Sequence, residues 1–137
     1  MPKRRRGSRS APRRSAVGHA PFEQLVARAL AAIPDPFREA LSEVAIVIDD
    51  ELTPEQRREN GLGPDEDLYG LYEGVPRTEY GADWTAVPNR ITLFRLPLQG
   101  DFPDPGDLEA EVRLTVLHEL AHHLGIDDDR LHDLGYA

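Results

Sequence analysis

The sequence predicts a small α+β domain, in which a small twisted sheet packs on an N-terminal helix and on a second, longer helix. Three observations predict this fold class. Apolar residues recur at helical spacing over two separate stretches, and short apolar runs bounded by turn residues lie between them. The chain has 137 residues and no internal repeat, which is enough for one hydrophobic core. We therefore expect a single domain over residues 18–137.

The N-terminal helix is predicted by a proline start signal and an amphipathic pattern. Pro21 is suited to the first helical position, and Pro34 and Pro36 end the pattern. The apolar stripe consists of Phe22, Leu25, Val26, Ala29, Leu30 and Ile33. A further helical turn is expected within residues 37–43.

Three short segments are strand candidates. Residues 44–48 form a continuous apolar run ended by two aspartates, which is typical of a buried strand. Residues 68–73 and 91–96 are the other two candidates, separated by a loop that contains Pro76, Gly81 and Pro88. A short exposed helix is expected to begin after Thr53 and to end at Gly61.

The longer helix has clear signals at both ends. Asp104 is the predicted N-cap, Pro105 the first helical residue, and Gly125 a left-handed residue that ends the helix. The apolar positions recur at threes and fours, at Leu108, Val112, Val116, Leu117, Leu120, Ala121 and Leu124, and Leu114 widens that stripe. We therefore expect this helix to be buried on more than one side.

A His-Glu-x-x-His pattern lies in the last two turns of this helix. His118 and His122 are four residues apart, so both imidazoles project from the same face and can bind one metal ion. Glu119 lies one step round the helix, where its carboxylate can reach a metal-activated water. These residue types at this spacing predict a hydrolytic zinc site.

Two histidines leave zinc short of ligands, because catalytic zinc sites usually have three protein ligands. The turn at Gly125 can bring a later side chain back towards the metal. The downstream candidates for the third ligand are Asp127, Asp128, Asp129, His132 and Asp133.

The chain resembles the compact zincin-like metallopeptidases of bacteria, whose extended motif is HExxHxxGxxD. The motif here comprises His118, Glu119, His122, Gly125 and Asp128. The similarity extends over most of residues 21–137, including the segments 71–74, 90–95 and 130–136. By this resemblance the fold is a minimal zincin-like fold and Asp128 is the third ligand. The metzincins differ, because their third ligand is His and they have a methionine turn, whereas the only methionine here is Met1.

The resemblance implies a peptidase that hydrolyses peptide bonds of a peptide or protein substrate with one bound Zn²⁺ ion. Glu119 is the expected general base, which accepts a proton from the activated water and passes it to the leaving amine. The alternative is a metal-stabilised binding or regulatory module with little or no hydrolytic activity, since so short a chain has little material for a second cleft wall. The presence of Glu119 favours the enzyme.

Three other residues have open roles. His123 points about 100° away from His122 around the helix, so a hydrogen-bonding, packing or surface role is expected rather than ligation. For His132 a packing role and a position near the metal both stay open. Tyr136 is a candidate donor to a reaction oxyanion, although packing of the C-terminal end is the favoured expectation.

A zincin substrate lies extended beside an edge strand of the sheet, where main-chain hydrogen bonds bind it. Residues 68–73 and 91–96 are the two candidates for that edge. Pro88 and Pro97 flank the second candidate and are compatible with an edge position. Both segments are equally compatible with the interior of the sheet, and the sequence does not choose between them.

Charge divides the chain near its N-terminal end. Residues 1–15 hold seven basic residues and no acidic ones, whereas the remainder has nine basic and 25 acidic residues, a net charge of −16. Residues 1–17 are therefore expected to form a disordered basic tail. Residues 3–14 could contact nucleic acid or an anionic surface weakly, but a poorly constrained leader or an upstream start choice is the favoured interpretation.

Composition sets further limits. No apolar run approaches the roughly 20 residues that cross a membrane, and no apolar stretch follows the basic N-terminus as in a signal peptide. The chain has no cysteine, which excludes disulfides and thiolate metal ligands. We expect a cytoplasmic protein without membrane insertion, and the oligomeric state stays open.

Overall fold

The computed structural model describes residues 3–5, 19–74 and 89–135, and the α+β class is confirmed. The helices are α1 (His19–Ala31), α2 (Phe37–Ala40), α3 (Pro54–Glu59), α4 (Arg95–Asp101), α5 (Pro105–His123) and α6 (Asp128–Asp133). The strands are β1 (Lys3–Arg5), β2 (Ala45–Asp49), β3 (Glu66–Leu68), β4 (Gly70–Glu73) and β5 (Arg90–Phe94). A 3₁₀ turn (Leu41–Glu43) joins α2 to β2.

The main sheet has three strands in the order β2-β5-β4. β5 is parallel to β2, with Ile46 opposite Ile91, and antiparallel to β4, with Tyr72 also opposite Ile91. β1 and β3 form a separate antiparallel pair. Since β5 is paired on both sides, the segment predicted at 91–96 is the centre of the sheet, and among the described strands β4, from the candidate at 68–73, lies at an edge.

Two strand predictions need correction. The strand predicted at 91–96 ends at Phe94, because the chain turns into α4 at Arg95. The side chain of Arg95 binds Asp50 at 2.8 Å and Gln99, one helical turn later, at 2.9 Å. The apolar run at 44–48 corresponds to β2, which is an edge strand and only half-buried. The continuous apolar pattern of this segment is typical of a buried strand. Ile46 and Ile48 do pack against the core, but the strand as a whole is only half-buried.

The core lies between the sheet and the helices α1, α2 and α5. Its fully buried large residues include Phe22, Leu25, Ile33, Phe37, Ile91, Leu93, Leu98, Leu108, Leu120 and Leu131. A smaller cluster of Leu52, Leu68, Leu71 and Phe94 packs separately from this core. The predicted apolar stripes of both long helices are therefore the surfaces that meet in the core.

α5 begins and ends where its signals predict. The Asp104 carboxylate accepts a hydrogen bond from the main-chain N–H of Asp107 at 3.0 Å, and Pro105 occupies the first helical position. Gly125 has φ of 74°, and its N–H donates to the carbonyl of His122, while the N–H of Ile126 donates to that of Ala121. These two bonds form a Schellman motif, which stops the helix and reverses the chain.

The described part of the chain tests little of the predicted basic tail. The structure gives Lys3–Arg5 as a strand, whereas disorder is predicted for residues 1–17; residues 6–18 lie outside the described residues, as do the loop at 75–88 and Tyr136. The boundary at residue 17 therefore stays a prediction. Among the described residues, no helix is both long and apolar enough to cross a membrane.

Candidate metal centre and active site

The motif side chains lie in the last two turns of α5 and differ in exposure. Glu119 is fully buried, whereas His118 and His122 are partly exposed, with 19% of the His118 side chain accessible to solvent. Consecutive helix positions point about 100° apart, so one residue of the motif can face the sheet while its neighbours face the surface. The imidazoles are therefore accessible to an ion from solvent, and the carboxyl group approaches from the protein side.

The turn at Gly125 brings Asp128 back to the motif. Asp127 caps α6 by accepting a hydrogen bond from the N–H of Arg130 at 2.8 Å, and Asp128 is the first residue of that helix. An Asp128 carboxylate oxygen lies 3.6 Å from Nδ1 of His118. This distance is too long for a hydrogen bond but brings the carboxylate into electrostatic contact with the imidazole.

Both histidines are biased towards the neutral form. Burial lowers the pKa of His118 and of His122, and the Asp128 carboxylate opposes this shift in each case. Neutral imidazole is the form that binds metals, so burial favours ligation at neutral pH. Within residues 19–74 and 89–135, however, no three His, Asp or Glu side chains form a closed cluster around a common point. The contact between His118 and Asp128 is the part of the predicted ligand set that the structure brings together.

Glu119 has one hydrogen-bond partner, and it comes from the sheet. The main-chain N–H of Tyr72 donates to Oε1 of Glu119 at 2.9 Å, while Oε2 is buried and has no partner among the described residues. Burial raises the pKa of Glu119 to about 7, although the Tyr72 N–H favours the charged form. A carboxyl group that titrates near neutral pH is suited to accept and return a proton.

An open depression lies on the surface beside His122. Its volume is about 310 Å³, and it is lined by His122, Gly125, Ile126, Asp127 and Asp128. The depression therefore joins the end of α5 to the start of α6, which are the two elements that carry the predicted ligands.

A family model for zincin-like metallopeptidases matches residues 41–136. The chain belongs to the zincin-like metallopeptidase family. No curated protein matches the chain. The matched segment contains β4, α5 and α6, so it includes every element that contributes to the site described above.

His123 has a role that the motif of the zincin-like family does not reveal. Its imidazole is fully buried and is held by two polar side chains: Nε2 lies 2.7 Å from Oε1 of Glu43, and Nδ1 lies 3.0 Å from the hydroxyl of Tyr72. Of the three roles left open by the sequence, the structure shows a packed, hydrogen-bonded one. His132 is exposed on α6, which excludes the packing role considered for it.

Three residues near the site were not predicted as functional. The main-chain N–H of Tyr72 carries no sequence signal, because every residue except proline has one. Thr115 lies one turn before Glu119 on α5 and is fully buried, and its hydroxyl lacks a partner in the described part of the chain. Glu43 is 80 residues from His123 in sequence. Of these three, only Thr115 is marked in the sequence, because it is a polar residue among the apolar positions of α5.

Proposed function

We propose that this zincin-like protein is a zinc-dependent peptidase in which His118, His122 and Asp128 hold one zinc ion and Glu119 is the general base. The observation that carries the proposal is the buried carboxyl group of Glu119, with one oxygen hydrogen-bonded and the other without a partner among the described residues. A buried carboxyl with an unused oxygen costs folding free energy, so it is expected where function needs it.

The donor set suits zinc. Two imidazoles and one carboxylate are a common ligand set for catalytic zinc. Burial keeps both imidazoles in the form that ligates, and the Asp128 carboxylate supplies a negative charge next to His118. The free Oε2 of Glu119 is the kind of buried acceptor that a water molecule beside a metal ion would satisfy.

Each residue of the site then has a separate role in the proposed hydrolysis. Zinc, when bound, supplies Lewis acidity towards the scissile carbonyl and the attacking water. The Tyr72 N–H holds Oε1 of Glu119, which leaves Oε2 to accept the proton of that water and to return it to the leaving amine. Because burial raises the pKa of Glu119 to about 7, both protonation states are accessible near neutral pH.

β4 is the proposed binding strand for an extended peptide. Among the described strands, β4 has β5 as its neighbour on one side, and on the other side its Tyr72 N–H faces the end of α5. A peptide that pairs with this edge would be held mainly by main-chain hydrogen bonds, with little dependence on its sequence.

The experiment that tests the function compares two glutamate variants on the same helix. Glu119→Gln keeps the side-chain size and should reduce cleavage of a diverse peptide mixture by at least about 100-fold, with zinc affinity within a few-fold of the parent. Glu111→Gln, which alters a partly buried glutamate two turns earlier on α5, should leave cleavage unchanged. Cleavage would be followed by mass spectrometry with zinc-loaded protein.

Two outcomes would contradict the proposal. Equal cleavage by the parent and Glu119→Gln would exclude Glu119 as the base. A parent protein that binds zinc with a stoichiometry near one but cleaves no peptide would replace the peptidase with the metal-stabilised binding module. The open form of the depression beside His122 is the observation that favours this second candidate, because the described residues that line it all belong to the α5–α6 side.

A further inference from the structure

Tyr72 contacts α5 at two positions that are one helical turn apart. Its main-chain N–H donates to Glu119, and its hydroxyl lies 3.0 Å from Nδ1 of His123. Residues four apart on a helix lie on the same face, so these two contacts stack along one side of α5. One residue of β4 is therefore attached to the helix through both its main chain and its side chain.

The sheet register leaves the Tyr72 N–H available for this contact. The N–H of Phe94 donates to the carbonyl of Tyr69, so Tyr69 and Phe94 form a hydrogen-bonded pair in the antiparallel ladder. Such pairs alternate with pairs that are not hydrogen-bonded. Tyr72, three residues along and opposite Ile91, belongs to the second kind, and its N–H points away from β5.

His123 is fixed by the residues on either side of its ring. A carboxylate only accepts hydrogen bonds, so the 2.7 Å contact with Glu43 places a proton on Nε2 of His123. The other ring nitrogen meets the Tyr72 hydroxyl, which also lies 3.1 Å from the side-chain oxygen of Asn89. Because His123 is fully buried, these contacts hold the phenol ring of Tyr72 in one orientation.

We propose that Glu43, His123 and Tyr72 form a positioning clamp that sets the orientation of the Glu119 carboxylate. The clamp acts through the main-chain N–H of Tyr72, the sole partner of Glu119 among the described residues. None of the three clamp residues touches the reacting atoms, so they are positioning residues. The inference rests on the proposed function, since it assigns the clamp to the general base of that reaction.

The clamp has a physical purpose because a glutamate side chain is flexible. A single hydrogen bond leaves the carboxylate free to rotate if its donor moves, and a small misplacement of a catalytic group can cost about 100-fold in rate. Anchoring the phenol of Tyr72 to His123 restrains the strand that supplies the donor. The carboxyl group of Glu43 in turn restrains His123, from outside α5 and β4.

The first test observes the Tyr72 amide by ¹H–¹⁵N NMR in the absence of zinc and substrate. In the parent its proton should resonate downfield because it is bonded to a carboxylate. Tyr72→Phe and Glu43→Ala should both move this resonance upfield and speed its hydrogen exchange by about tenfold. Tyr69→Phe is the matched control, because it also removes a hydroxyl contact, 2.7 Å to Asp101, from a tyrosine three residues earlier in the chain. An unmoved resonance in both clamp variants would overturn the proposal.

The second test separates positioning from folding. In zinc-loaded protein, Tyr72→Phe and Glu43→Ala should lower kcat by about tenfold with KM and zinc affinity unchanged, whereas Tyr69→Phe should change none of them. Glu43→Gln keeps an acceptor for His123 and should restore most of the lost kcat. Unchanged kcat in both clamp variants, or no recovery in Glu43→Gln, would contradict the clamp.

The two tests distinguish this inference from the proposed function. A parent that cleaves no peptide removes the peptidase, yet the NMR measurement still decides whether the clamp holds Glu119. A parent that cleaves peptides, with an amide resonance unaffected by the clamp variants, removes the clamp and leaves the peptidase in place.

Discussion

At the residue scale, the largest unfavourable contribution of this site to folding stability comes from burying one carboxyl group, that of Glu119. Glu119 is fully buried and, among the described residues, accepts one hydrogen bond, from Tyr72, which is too little to offset the loss of water around a charge. Its pKa therefore rises to about 7. This cost becomes a measurable dependence of folding stability on pH.

In zinc-free protein, the contribution of Glu119 to the free energy of unfolding should fall as the pH rises from 4.5 towards 7. The folded state keeps the Glu119 proton in this window, whereas the unfolded chain has already released it, so the raised pKa contributes stability only at lower pH. Glu119→Gln is neutral at every pH and should gain up to about 3 kcal/mol relative to the parent across the window. Urea unfolding in the presence of a chelator measures the difference, and parallel curves for the two proteins would contradict it.

The third metal ligand is the other prediction at this scale. Asp128→Ala should weaken zinc binding by at least about 100-fold, because it removes the charged side chain next to His118. Asp129→Ala is the appropriate control, since Asp129 is exposed in the same first turn of α6. Asp127→Ala is unsuitable because Asp127 caps that helix. Calorimetric titration with zinc compares the variants, and equal affinities would exclude Asp128 as the ligand.

At the scale of elements, the site depends on how closely β4 approaches α5. Gly70 lies directly against Thr115, so that a Cβ atom at residue 70 would stand 2.6 Å from the Thr115 methyl carbon. The same approach places the N–H of Tyr72 within hydrogen-bond distance of Glu119. Glycine at this position therefore sets the distance between the strand and the helix.

Gly70→Ala should destabilise the protein by about 1–3 kcal/mol, because the added methyl group forces β4 and α5 apart. Thr115→Ser removes the opposing methyl, so the double variant should recover most of that loss. Gly63→Ala is the control, because its new methyl would make only an ordinary contact of 3.6 Å with Glu66. Chemical denaturation measures the parent, the two single variants, the double variant and the control. Strict additivity of Gly70→Ala and Thr115→Ser would show that the two residues do not meet.

At the scale of the whole molecule, the segment that defines the family is smaller than the folding unit. The family match begins at residue 41, yet α1, α2 and the segment between them contribute Phe22, Leu25, Ile33 and Phe37 to the same core as α5. All four are at most 1% exposed. The helix that carries the motif thus depends on residues outside the matched segment.

A fragment of residues 41–137 should therefore fail to fold, whereas residues 18–137 should unfold cooperatively. Within the full chain, Phe22→Ala should cost about 3–5 kcal/mol, because the side chain is completely buried. Circular dichroism and thermal melting measure both effects. A cooperative melt of the shorter fragment would show that α1 is dispensable for the core.

Local interactions explain which features could be predicted. Three features each depend on residues close to a helix end. They are the start of α5 at Asp104, the end of α5 at Gly125 and the capping of α3 by Thr53. The same-face placement of His118 and His122 follows from helical geometry alone. Family membership depends on such patterns, and the match over residues 41–136 confirms it.

The strands were predicted less well, because the environment of a strand depends on residues that are distant in the sequence. Whether a strand lies at the centre or the edge of a sheet depends on its neighbours, which the sequence of the strand does not contain. The sequence after Phe94 predicts a continued strand. In the structure, Arg95 binds Asp50, which is 45 residues away, and the chain turns into α4 there.

The sequence by itself therefore determined the long helices α1 and α5, the ends of α5, the motif and the family, because all of these follow from contacts along one stretch of chain. Only the tertiary structure decided the order of the sheet, the burial that raises the pKa of Glu119, and the contacts that join Tyr72 to α5 and His123 to Glu43. The hydrogen bond between Tyr72 and Glu119 joins residues 47 apart. Such contacts form when the whole core packs, because burial and hydrogen-bond partners are properties of the assembled molecule.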